Sequence, residues 1–139
     1  GKEKLKITML TYCSDLELER IEKESPNDIV IWIDSYIKGK QDLIKFIEQS
    51  LGCPYDDNNW DGFYDAISDL YWIPEGKAVR LLHFSMPALS EKELETYIEI
   101  LIRSDDFLTN LPDGVGLNRL FVYFHDSLRI DVENIRNSM

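Results

Sequence analysis

The sequence is short of the residues that would commit it to metal, redox or membrane chemistry. Cysteine occurs twice, at Cys13 and Cys53, in no CxxC or CxxH spacing, so neither a zinc site nor a disulfide framework organises the fold, and reduced thiols are expected. Histidine also occurs twice, and neither His83 nor His125 stands at catalytic spacing from a Cys, a Ser or a second His. His83 is expected as an ordinary half-buried strand residue and His125 near a turn. Apolar runs such as residues 29–33 are far too short to span a bilayer, and no signal-like segment opens the sequence as given. A cytoplasmic location with no membrane association is therefore expected. There is no internal repeat and no phosphate-binding glycine loop, because Gly114 and Gly116 lack a strand before and a helix after.

Charge of one sign is missing too. Residues 46–76 contain neither Lys nor Arg, while the whole chain carries a formal net charge of -11. A nucleic-acid binder needs a basic footprint, and this chain has none. The charge points instead to a basic partner. With 139 residues, 44% hydrophobic and 29% charged, the chain is expected to be one globular domain with a real core.

Along the chain, residues 5–12 alternate as a strand with one wet face, and the Glu-rich residues 16–24 fit either strand or helix. Ser25-Pro26-Asn27-Asp28 is a turn signal. The β-branched run 29–34 reads as a strand covered on both faces. After a turn at 35–39, Leu43, Ile44, Ile47 and Leu51 recur at helical spacing, with Gly52 where a C-terminal cap belongs. Residues 78–84 and 120–124 read as two further core strands. Between them Ser90 and Glu93 form a capping box, opening a helix with Leu94, Tyr97, Ile98, Leu101 and Ile102 on its apolar face. Residues 111–116 read as a loop, and residues 128–132 alternate as one more strand. Strands joined by helical crossovers predict an α/β fold: a small, mostly parallel sheet of about three core strands with helices packed on it. Antiparallel edge strands are expected from both termini.

The cation-free stretch is also the aromatic one. Asp56, Asp57, Asp61, Asp65 and Asp69 alternate with Tyr55, Trp60, Phe63, Tyr64, Tyr71 and Trp72. A helix N-capped by Asn58 or Asn59 puts Asp61, Tyr64, Asp65 and Ser68 on one face and Trp60, Phe63, Ile67 and Leu70 on the opposite one. Gly62 is read as leaving the surface beside Asp61 open. Aspartates four apart repel by a few tenths of a kcal/mol each, with no Lys to break the row.

Asp61 with Asp65, or Asp56 with Asp57, could pair for glycoside hydrolysis, but an exposed helical face lacks the burial that separates two carboxylate pKa values. The same oxygens miss the calcium-loop pattern, whose twelfth position counted from Asp57 is Ser68. No enzyme, cofactor, metal or small-molecule substrate is expected. Binding is: carboxylates steer and hydrogen-bond Arg and Lys, and Tyr and Trp supply rigid contact area.

Residues 29–124 further resemble the barstar family of ribonuclease inhibitors, on Pro54, Tyr55, Asn59, Trp60, Asp61, Phe63, Tyr64 and Asp65. The loop from Pro54 to Asp61 is one residue shorter than the family pattern, its glycine is absent, and Gly62 replaces the usual Ala. The resemblance implies three parallel strands with packed helices, and a cytoplasmic immunity protein of a bacterial toxin–antitoxin pair. It implies a basic ribonuclease as partner, plugged by acidic side chains that occupy the places of RNA phosphates. It places the inhibitory carboxylate at Asp65, with Asp61 on the same helix and Tyr55 on the loop before it; taken with the residue pattern, the expected contact residues are Tyr55, Asp57, Asn59, Asp61, Tyr64 and Asp65. A further acidic contact is left open among Glu99, Asp105 and Asp106. Residues 1–28 and 125–139 are then extensions of the core within one domain. The other reading is an interaction module of the same fold with a basic partner that is not a nuclease.

Overall fold

The computed structural model describes residues 10–56, 58–109 and 119–139, and for 105–109 and 119 the backbone alone. The described chain forms β1 (Leu10–Cys13), α1 (Asp15–Lys23), β2 (Ile29–Ile33), α2 (Lys40–Leu51), α3 (Trp60–Asp69), β3 (Ala78–His83), α4 (Glu91–Thr109), β4 (Arg119–His125), a short 3-10 turn (Asp126–Leu128) and α5 (Arg129–Asn137). The four strands pair in parallel, in the order β1-β4-β3-β2.

That order decides where the helices lie. The connection from β1 runs across the whole sheet to β2, whereas β2 to β3 and β3 to β4 step back toward β1. Parallel crossovers are right-handed, so the two directions put their helices on opposite faces. The buried side chains divide accordingly. One cluster joins Ile31, Ile33, Val79, Leu81, Val122 and Phe124 to α2, α3 and α4. A smaller one joins Cys13, Leu82 and Tyr123 to Leu18 of α1. On that second face Asp28 takes hydrogen bonds from the Ala78 amide at 3.0 Å and the Arg80 guanidinium at 2.8 Å, and Arg80 lies 4.6 Å over the Phe121 ring.

The predicted core strands and both central helices are present. Gly52 ends α2 at φ 67, a left-handed conformation that glycine adopts without steric cost. Ser90 and Glu93 make their reciprocal cap at 3.1 and 3.2 Å. The terminal segments differ from expectation. Residues 1–9 and 111–116 lie outside the described residues, and what is seen of the first strand, β1, is a parallel edge beside β4 rather than an antiparallel one. Residues 16–23 are helical, with Glu24 as the C-terminal cap, because Ser14 and Glu17 form a second capping box. Residues 128–132 are not a strand. Val132 is buried, with Leu128 and Ile135 packed beside the same core, while Ile130 is 74% exposed. That is the 3.6-residue period of a helix, which five residues of alternation had imitated.

His83 is fully buried rather than half-buried. Its Nδ1 meets the Tyr123 carbonyl at 2.9 Å, its Nε2 meets the Tyr97 hydroxyl at 2.7 Å, and its ring stacks on Phe124 at 4.3 Å. A carbonyl only accepts, so Nδ1 carries the proton and Nε2 accepts from Tyr97. Burial holds its pKa down at about 4. The unfolded chain takes up this proton below its ordinary value of 6.5, so the stability from a neutral His83 is complete above pH 6.5. It is lost as pH falls toward 4, by roughly 3 kcal/mol. Urea unfolding at pH 7 and pH 4 should show that loss, and in His83→Gln the difference between the two pH values should shrink by most of it.

Candidate functional site

The acidic and aromatic stretch folds into α3, the loop before it and the turn after it. Asn59 is the N-cap, with extended backbone, and its side-chain oxygen accepts from the Gly62 amide at 2.7 Å. Gly62 is therefore buried against its own cap and does not open a surface beside Asp61. Phe63, Ala66, Ile67 and Leu70 turn into the core. Trp60 is half-buried, 6.1 Å from Phe63 and 6.5 Å from Tyr97 between ring centres. Leu70 ends the helix at φ 53, a conformation that costs a residue with a side chain about 1 kcal/mol or more. Full burial of that side chain holds it there.

Asp61, Asp65 and Asp69 stand exposed, and among the described residues none of them makes an ion pair. Asp61 in the first turn meets the positive end of the helix dipole, whereas Asp69 in the last turn meets the negative end with no basic residue to offset it. Ser68 does not share their face. It is buried at 6% and donates a 2.9 Å hydrogen bond to Ser104, joining α3 to α4. Tyr64 is half-buried, and the Arg103 guanidinium lies 4.8 Å from its ring centre. Lys40 lies over Trp60 at 6.0 Å. The missing cation is thus missing from the segment but not from its surroundings.

Tyr55 stacks edge-on against Trp72 at 5.8 Å, and Trp72 donates its indole N–H to the Leu51 carbonyl at 2.8 Å. Partial burial pushes the Tyr55 phenol up to about 12, helped by the acidic groups of Cys53, Asp69, Tyr71 and Asp65, each of which disfavours the phenolate when ionised. This brings the loop tyrosine and the helix carboxylates into one electrostatic neighbourhood. It also adds two residues to those predicted, Asp69 and the 64% exposed Tyr71. The four-residue spacing had already signalled Asp69. Nothing in the sequence signalled Arg103, which arrives from another helix. Asp57 lies outside the described residues, as do the side chains of Asp105 and Asp106, while Glu99 is exposed on α4.

Away from this face, His125 meets Ser127 Oγ at 2.8 Å and Asp15 through its other ring nitrogen, a contact with no signal in the sequence. Its Nδ1 also accepts the Ser127 amide at 3.1 Å. That occupies the lone pair a general base would need and makes the cluster a tie between α1 and the end of β4. Among the described residues no three His, Cys, Asp or Glu side chains are placed to hold a metal, and no helix is long and apolar enough to cross a membrane.

Comparison with family models matches residues 29–118 to the family described as barstar (barnase inhibitor). The matched span runs from β2 through α4 and contains all of α3. No curated protein and no solved structure matches the chain.

The Asn59 cap is one of the contacts that fix the site's scaffold. Replacing Asn59 with Ala should cost about 1 kcal/mol in urea unfolding and speed hydrogen exchange at the Gly62 amide, without changing exchange in the central strands.

Proposed function

The chain belongs to the barstar family, and on that premise we propose that it is an immunity protein that binds a basic ribonuclease and blocks its active site. The carrying observation is the exposed row of carboxylates on α3, inside the matched span and outside any ion pair among the described residues. Carboxylates left in this state attract arginine and lysine from another molecule. Asp65, one helical turn past Asp61 and near the Tyr55 phenol, is the side chain that enters the nuclease and stands in for an RNA phosphate. Asp61 and Asp69 flank it, Tyr55 and Tyr64 supply flat contact area, and Asn59 keeps a side-chain N–H₂ to donate beyond its cap. Asp57 is a further acidic contact in this proposal. The partner is a protein, since the net charge of -11 repels nucleic acid, and the place of action is the cytoplasm.

The energetics favour a binding role for these side chains. A helix selected for stability alone would break the aspartate row with a Lys and place a cation in its last turn. Here both are absent, and the cost falls on the free protein until a basic partner relieves it.

Charge reversal at the centre of the face gives the test. Asp65→Lys should lose protection of RNA, measured with barnase and with any ribonuclease retained on a column of the immobilised protein, while the circular dichroism spectrum stays that of the parent. A variant that protects as well as the parent would refute the site. Raising ionic strength from 50 to 500 mM should slow association of the parent by about tenfold or more and alter dissociation less. Retention of a basic protein that does not cut RNA would instead support an interaction module with a different partner.

A further inference from the structure

Of the two cations that the described residues bring to α3, Lys40 over Trp60 and Arg103 over Tyr64, the second lies beside the middle of the carboxylate row and is held. Arg103 is exposed on α4, with its guanidinium 4.8 Å from the ring centre of Tyr64. An exposed arginine normally samples many rotamers, but stacking on an aromatic face restricts it. The backbone beneath it is fixed as well, because the neighbouring Ser104 accepts the buried 2.9 Å hydrogen bond from Ser68 of α3. Tyr64 lies between Asp61 and Asp65 in the sequence of α3, so the guanidinium stacked on its ring is held against the helix that carries the carboxylates. No ion pair occupies it among the described residues.

From this placement we infer that Arg103 is a specificity determinant of the same face: the partner that fits presents basic groups to Asp61 and Asp65 and a carboxylate to Arg103. The inference rests on the binding reading of α3 given above. A uniformly cationic surface gains from the aspartates but is repelled at one border, whereas a surface with one acidic group placed there gains at both. The acid row supplies the attraction, and the arginine rejects basic proteins of the wrong charge pattern. A partner with a single carboxylate beside its basic cluster is thereby separated from the many basic proteins a cell contains.

The test uses two synthetic peptides as probes, hexa-arginine and a six-residue peptide of arginines with one Asp. Each is titrated into the ¹⁵N-labelled full chain at low salt, following the amides of α3. Arg103→Ala should tighten hexa-arginine by about threefold to tenfold, as expected for removing one like charge at close range. It should not tighten the Asp-containing peptide. Arg20→Ala, on the helix that covers the opposite face of the sheet, removes the same net charge and should leave both affinities within twofold of the parent. Equal effects of the two variants would reduce Arg103 to a contributor to net charge and overturn the inference, as would no effect of Arg103→Ala. Absence of any shift at the α3 amides with either peptide, in parent and variants alike, would instead overturn the binding reading on which it rests.

Discussion

A neutral histidine buried between two strands and a helix holds the architecture together. His83 on β3 bonds the backbone of β4 through one nitrogen and the Tyr97 hydroxyl of α4 through the other. Only one tautomer satisfies both, and protonation would leave the Tyr97 hydroxyl with its former acceptor turned into a donor. The same Tyr97 ring packs against Phe63 at 6.1 Å and Trp60 at 6.5 Å. The first turn of α3 therefore rests on a side chain whose position is set by the sheet. A helix of ten residues is too short to be stable alone. Its geometry is borrowed from this contact, from the Asn59 cap and from the Ser68–Ser104 bond.

What was legible in the sequence was what local chemistry dictates. The strand at 29–33, the Gly52 cap, the Ser90–Glu93 box and the Asn59 cap all rest on neighbours within a few positions. The errors came where two periods fit the same short run. Leu128, Ile130 and Val132 alternate, but Leu128, Val132 and Ile135 also recur at helical spacing, and burial of the second set decided the outcome. The Ser14–Glu17 box was as readable as the later one, and it resolves residues 16–23 of the ambiguous stretch as helix. The parallel pairing of β1 could not be read locally, because it depends on β4, more than a hundred residues away.

For the site, the face of α3 was mostly visible from spacing, and its exceptions are tertiary. Ser68 has the spacing of a presented residue and the environment of a buried one, because α4 approaches that side and offers Ser104 as a partner. Arg103 shows the converse. No pattern within residues 46–76 could announce a cation that stacks on Tyr64 from another helix. An absence of Lys and Arg along a segment describes the chain, whereas the field at a surface sums over everything that folds around it.

That distinction bears on how the face can discriminate. A row of carboxylates alone attracts every basic protein in proportion to its charge, so it gives encounter rate without selectivity. Selectivity requires groups that hold position when the partner arrives, so that a mismatch is not relieved by side-chain motion. Here the fixed groups are the aromatic ones: Tyr55 against Trp72, Trp72 tied to the Leu51 carbonyl, and Tyr64 beneath Arg103. The exposed aspartates are free to reorient, but they spring from a helix clamped at its cap, at its buried face and at the left-handed Leu70. In the proposed binding role, mobile charges on a rigid aromatic base would attract at long range and discriminate at contact, so that the two tasks would fall to different residues.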